Sequence, residues 1–217
     1  MLTVACYSIY HSPNAYLGVL TAERALSGLP VTLERHPIAI PHSRGVRVAD
    51  LVGGSEPARK SDYHREDCER WARRHDIELH WLTPGVFEER AMRWRASPND
   101  REELPARAYY AAIGTGREHA LYRGSFHAAW VERQDVNEEA VVRRAVSAAG
   151  LDADRLLSSA SGEGPRRMLA ASLEAFDNAG CPGVPTWVVN GERFWGKDRV
   201  EWLVARVREL LGNPSQT

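Results

Sequence analysis

Apolar and polar positions alternate with three different periods over the first forty or so residues. Residues 2–9 (LTVACYSI) form a short apolar run with polar flanks, the pattern of a buried strand. Ser12-Pro13 then opens a helix, with Ser12 as N-cap and Pro13 at the first helical position, where a missing N–H costs nothing. That helix runs to about Ser27, with Gly28 and Pro30 closing it. Residues 31–38 alternate apolar and polar and predict a second strand. Strand, helix, strand in this order is a βαβ unit, which favours a parallel pair.

The middle of the chain has a helical period. Residues 41–57 are rich in Gly, Pro, Ser and His and predict a loop, residues 61–74 a long helix, and residues 77–82 an extended piece. From 98 to about 179 nearly everything has helical spacing. Asp135-x-x-Glu138 is a capping-box pattern for a helix ending at Gly150. Met168, Leu169, Ser172, Leu173 and Phe176 mark one face of another helix, stopped by Gly180, while 158–165 predicts a flexible tract. The end of the chain changes character. Thr186-Trp187-Val188-Val189 is strand-like, Asn190-Gly191 is a two-residue hairpin signal, and Arg193-Phe194-Trp195 returns. Asp198-x-x-Glu201 can cap a last helix that carries Val200, Leu203, Val204, Val207 and Leu211 at helical spacing. A βαβ opening, a ββα close and helices between them predict an α/β chain: a thioredoxin-like fold with a large all-helical insertion. Its two halves are expected at 1–43 and 179–217, and the insertion at 44–178.

Composition narrows the function. The 217 residues are 43% hydrophobic and 26% charged, with a net charge of -1. That is a globular balance without the basic excess that would recruit nucleic acid or an anionic membrane. No apolar run is long enough for a membrane span, and the N-terminus does not have the pattern of a secretory signal. The three cysteines, Cys6, Cys68 and Cys181, are far apart with no C-x-x-C pair, which disfavours a dithiol centre and suits a reducing cytoplasm. Eight histidines show no metal-ligand spacing, so no metal site is expected. Trp71, Trp81, Trp94, Trp130 and Trp202 are expected in cores or interfaces.

Three places can carry chemistry. Ser12 is either a plain cap or a hydroxyl donor beside an anion, because a helix N-terminus favours negative charge. In Gly183-Val184-Pro185-Thr186, the proline either just opens a strand or forms a cis bond that turns the Val184 backbone outward to pair with an extended peptide. In Phe194-Trp195-Gly196-Lys197-Asp198-Arg199, Asp198 is either a helix cap or the counter-charge of a ligand ammonium.

Together these places resemble the 2-hydroxychromene-2-carboxylate isomerases, relatives of kappa-class glutathione transferases and of DsbA-type oxidoreductases. The resemblance rests on Ser12-Pro13 with Tyr16-Leu17; on Pro57-Ala58-Arg59-Lys60 with Tyr63, Asp67 and Arg70-Trp71-Ala72; and on Gly183 to Thr186, Gly191, Phe194 to Gly196 and Asp198-Arg199. It implies glutathione as cofactor, with Ser12 bonding its sulfur and Val184, before a cis Pro185, pairing with its cysteinyl part. It further implies Asp198 and the Gly196-Lys197 backbone at the γ-glutamyl end, and Lys60 at the glycyl carboxylate. The expected activity is isomerisation of an unsaturated aromatic acid by reversible thiolate addition, in a cytoplasmic homodimer. A kappa-like transferase or a non-catalytic thioredoxin-like binding module are the alternatives. The chain departs from the family pattern at Gly53-Gly54-Ser55-Glu56, Asn14 and His11, all on the substrate side.

Overall fold

The computed structural model describes residues 1–41 and 55–212. Two compact units emerge, one formed by Met1–Ile38 with Arg167–Thr217 and the other by Ala39–Arg166.

The first unit is built on a four-stranded sheet. β1 (Leu2–Ser8), α1 (Pro13–Leu26) and β2 (Val31–Pro37) form the expected βαβ unit, and β1 and β2 are parallel. β3 (Thr186–Val189) pairs antiparallel with β1, so that Val4 faces Val189 and Tyr7 faces Thr186. β4 (Glu192–Trp195) returns against β3, giving the order β2-β1-β3-β4. The turn between them is Asn190-Gly191, with φ of 48° and 77°. Positive φ at both positions is the type I′ geometry that matches strand twist, and it explains the Asn-Gly pair. A 3-10 turn (Lys197–Arg199) leads into α9 (Val200–Gly212), which packs on α1 and against β3 and β4. Val200, Leu203, Val204, Val207 and Leu210 are the buried stripe of α9. Leu210 therefore takes the place expected of Leu211, which is the residue one step round the helix.

The second unit is helical: α2 (Ser55–Arg74), α3 (Pro84–Ala96), α4 (Glu103–Ala112), α5 (Glu118–Trp130), α6 (Glu139–Ala148) and α7 (Ala153–Ala160). Small and branched residues of α4 to α7 close its core: Ala108, Ala112, Leu121, Val142, Val146, Leu156 and Leu157. Tyr122 packs beside them, tilted against Tyr109 and edge-on to Phe126. α8 (Glu163–Asn178) begins in this unit, but from Arg167 onward it belongs to the sheet unit, where Phe176 meets Tyr7 edge-on at 5.6 Å. The compact units thus divide at 38/39 and 166/167 rather than at the expected 43/44 and 178/179.

Residues 77–82 lie outside helix and sheet; His80 N–H donates to the Trp130 carbonyl at 2.7 Å and Trp81 meets Trp130 edge-on, so the segment is held by the end of α5. Other local expectations are corrected. Residues 84–96 are the helix α3, opened by Thr83-Pro84, the same cap-then-proline pair as Ser12-Pro13. The tract 158–165 is the end of α7 and the start of α8, and Pro165 is tolerated because the first turn needs no N–H there. Asp135 does not cap α6. Its Oδ1 accepts from the N–H and Nδ2 of Asn137, a local turn that competes with capping, and Glu138 occupies the cap position without a side-chain capping bond. Trp94 and Trp130 are buried and Trp202 is exposed, positions compatible with the expected cores or interfaces.

Candidate functional site

In the sheet unit, α1, which Ser12 caps, lies against Pro185 and the Gly196-Lys197-Asp198 turn. The contact that joins them is Gly18. A Cβ there would lie 2.7 Å from Trp187 Cη2, 3.1 Å from Pro185 Cγ and 3.2 Å from the Lys197 Cα. Only a residue without a side chain lets α1 come this close to both the proline and the 3-10 turn. A glycine in the middle of an apolar helix costs about 1 kcal/mol against alanine, so its presence signals close approach. That signal was available in the sequence and marks Gly18 as the residue the motifs missed.

Ser12 is the N-cap of α1: Ala15 N–H donates to its Oγ at 3.1 Å, and Tyr16 N–H to its carbonyl at 2.9 Å. The hydroxyl proton is not used in that bond. Among the described residues it has no acceptor, so it remains available to an anion at the positive end of α1.

The Val184–Pro185 bond is cis. On either side of Val184 the backbone is occupied: the Gly183 carbonyl accepts from Thr186 Oγ1 at 2.6 Å, and the Pro185 carbonyl from Gly196 N–H at 3.0 Å. Val184 itself, half-buried, has no partner for its N–H or its C=O among the described residues. One residue with both backbone groups open, between satisfied neighbours, can take one residue of an extended peptide as a short strand addition.

Gly196 has φ of 104°, and a Cβ on it would stand 2.6 Å from Asp198 Oδ1. Its N–H goes to Pro185 and its C=O accepts from Arg199 N–H at 3.1 Å. Gly196 therefore shapes the turn and has no open N–H for a ligand. The Lys197 side chain is buried. Asp198 is half-exposed and is not the cap of α9; its Oδ2 accepts from Arg199 Nη1 at 2.6 Å. An exposed pair of this kind contributes roughly 0–1 kcal/mol, which leaves the carboxylate able to exchange partners. Trp195, 54% exposed, lays its indole beside Gly183 and walls this edge. Lys60 lies in α2, and its side chain falls outside the described residues, as do Gly53 and Gly54.

Cys181 is the cysteine nearest this edge, and burial pushes its thiol pKa up, with Arg193 opposing. Cys6, Cys68 and Cys181 form no disulfide with one another, and position 12 holds Ser. The arrangement has no dithiol. It offers a hydroxyl donor at a helix N-terminus, an open backbone pair and a movable carboxylate.

Known proteins place this architecture. The chain is 26% identical over 204 residues to 2-hydroxychromene-2-carboxylate isomerase of Sphingobium xenophagum, covering 93% of this chain and 95% of that one. Among solved structures, a 2-hydroxychromene-2-carboxylate isomerase matches with a TM-score of 0.74 at 20% identity, covering 98% of each chain. A probable DsbA oxidoreductase from Streptomyces coelicolor matches with a TM-score of 0.75 at 16% identity, covering 98% of this chain and 91% of that one. With the parallel-antiparallel sheet, the nested helices and a family model matching residues 3–208, this chain belongs to the DSBA-like thioredoxin domain family.

Proposed function

We propose that this chain is a glutathione-dependent isomerase of an unsaturated aromatic acid, similar in reaction to the 2-hydroxychromene-2-carboxylate isomerase of Sphingobium xenophagum. The observation that carries the reading is the Val184 backbone, open at N–H and C=O while its neighbours are bonded, in one unit with the Ser12 hydroxyl and Asp198. When bound, glutathione supplies a thiol that adds reversibly to a conjugated double bond and leaves unchanged.

The residues present fit such a peptide. Val184 pairs with its cysteinyl backbone. Ser12 donates its free O–H to the sulfur, and the N-terminal end of α1 favours the thiolate over the thiol. Asp198 turns from Arg199 to the γ-glutamyl ammonium, while Gly196 and the buried Lys197 hold the turn that aims it. Lys60 is the proposed partner of the glycyl carboxylate. The missing C-x-x-C removes disulfide exchange as the chemistry, and three cysteines without a disulfide suit a reducing compartment.

Calorimetric titration with glutathione, on the parent and on Asp198→Asn, tests the binding half. A hydrogen bond to a charged group contributes roughly 1.5–3 kcal/mol, so the variant should bind about 10- to 150-fold more weakly at an unchanged melting temperature. Equal binding withdraws the γ-glutamyl assignment, and no binding by the parent withdraws glutathione altogether. The chemical half is read from conversion of 2-hydroxychromene-2-carboxylate with and without glutathione. A product that keeps the glutathione would make the chain a transferase instead.

A further inference from the structure

The helical unit carries an open cavity of about 380 Å³, within the range of roughly 300–1,000 Å³ usual for small-molecule sites. Arg101 and Arg107 form its cationic side. The Arg101 guanidinium lies over the Trp94 indole, 3.9 Å from the ring centre, and its side chain is 10% exposed. Stacking covers the faces of a guanidinium and leaves its edge, where all the N–H groups lie, for acceptors in its plane. Among the described residues, no acceptor hydrogen-bonds that edge. Nε is fully shielded, and the one carboxylate within reach, Glu102, is 4.0 Å away. Arg107 is equally shielded; its Nη1 stands 3.2 Å from Glu103, a carboxylate shared with Arg166, and its Nε has no hydrogen-bond partner. Burial pushes the pKa of both guanidinium groups down, with Glu102 opposing at Arg101 and Glu103 at Arg107.

Four acidic residues, Asp100, Asp135, Glu138 and Glu139, line the same wall. Asp135 accepts from Asn137, Glu138 from Arg93 at 3.0 Å and Glu139 from Arg143 at 3.1 Å. They still set the potential of the cavity, which disfavours a dianion such as phosphate. Leu104 and Trp94 supply apolar wall.

We propose that this cavity binds a small organic monocarboxylate with an apolar body, its carboxylate on the guanidinium edges of Arg101 and Arg107. A carboxylate presents two coplanar acceptors to a guanidinium fork, supplying the hydrogen bonds that burial makes costly to omit. The apolar body lies against Leu104 and Trp94. The proposal uses residues of the helical unit alone and does not depend on glutathione.

Benzoate and benzamide, equal in shape and different in charge, are the probes. Calorimetry on the wild-type protein should show one benzoate site and at least tenfold weaker benzamide binding. Arg101→Gln should weaken benzoate binding at least tenfold. Because that variant can also fail to fold, the wild-type Arg101 Nε–H resonance is followed by NMR during benzoate titration, where it should shift saturably. The assignment is overturned if benzamide binds as tightly as benzoate, if a folded Arg101→Gln keeps full affinity, or if the Arg101 resonance stays still. It also falls if inorganic phosphate binds more tightly, or if S-methylglutathione displaces benzoate competitively.

Discussion

Replacing Gly18 by alanine sets two opposing effects against each other at one atom. In a helix interior the change ordinarily stabilises, since alanine is favoured over glycine by about 1 kcal/mol. Here the added Cβ falls 2.7 Å from Trp187 Cη2, about 1 Å inside the ~3.5–4.0 Å optimum for carbon pairs, and within 3.2 Å of the Lys197 backbone. Trp187 is completely buried in the sheet unit and the Lys197 backbone is held in its turn, so neither is a flexible tip that can swing away. Overpacking of this kind costs roughly 1–3 kcal/mol. Set against the propensity gain, the variant should lose about 0–2 kcal/mol. Gly124 in α5 is the control, because a Cβ there meets nothing within 4 Å; Gly124→Ala should gain roughly 0.5–1 kcal/mol. Urea unfolding with linear extrapolation resolves the difference, and thermal midpoints should move apart by several degrees, at about 2–4 °C per kcal/mol for a chain of this size. If Gly18→Ala stabilises as much as Gly124→Ala, the close approach of α1 to Pro185 and Lys197 is wrong, and the site built on it loses its frame.

Ser12→Ala removes the acceptor of the Ala15 N–H and should cost about 1 kcal/mol of stability; under the proposed function it also lowers turnover roughly tenfold or more at saturating glutathione, and wild-type turnover in the folded variant would reduce Ser12 to a cap. His36, hydrogen-bonded through Nδ1 to Ser172 at 3.1 Å, has its pKa lowered by burial, with Glu34 opposing. The unfolded chain then takes up a proton near pH 6.5 that the folded one refuses, so this group's contribution is lost as pH falls below about 6.5. Unfolding free energies between pH 8 and 5 should show that loss in the parent and less of it in His36→Gln; equal slopes would remove His36 as the source.

The strands, α1 and the closing hairpin were legible because each has a local cause: alternation, a cap followed by proline, an Asn-Gly pair. Helix bounds and caps were less so. Asp135 and Asp198 both head capping-box patterns, yet one side chain closes on Asn137 and the other on Arg199, because a short acid has several partners within reach and spacing does not rank them. Thr83-Pro84 carried the same signal as Ser12-Pro13 and went unread because the helix after it is not clearly amphipathic. In the site, Ser12, Val184 and Asp198 came from motifs. That Gly196 has already used its N–H on Pro185 depends on a pairing across the hairpin, which no local pattern contains. The Arg101–Trp94 stack was equally silent, since an arginine in a helical stretch reads as solvated surface until burial is known.

The strand order β2-β1-β3-β4 has a consequence for how the molecule is made. β1 leaves the ribosome well before its antiparallel partner β3, so Val4 waits for Val189. The helical unit, by contrast, is one continuous stretch whose core contacts are close in sequence, the kind that forms fast. Synthesis therefore favours completing the inserted unit while the opening βαβ segment still has one side of β1 unpaired. Ser12 is made before the helical unit, whereas Val184 and Asp198 are made only after it. A chain stalled or clipped before residue 184 carries a finished helical unit without Val184 and Asp198, and its exposed β1 edge is the surface a chaperone or an aggregate would find.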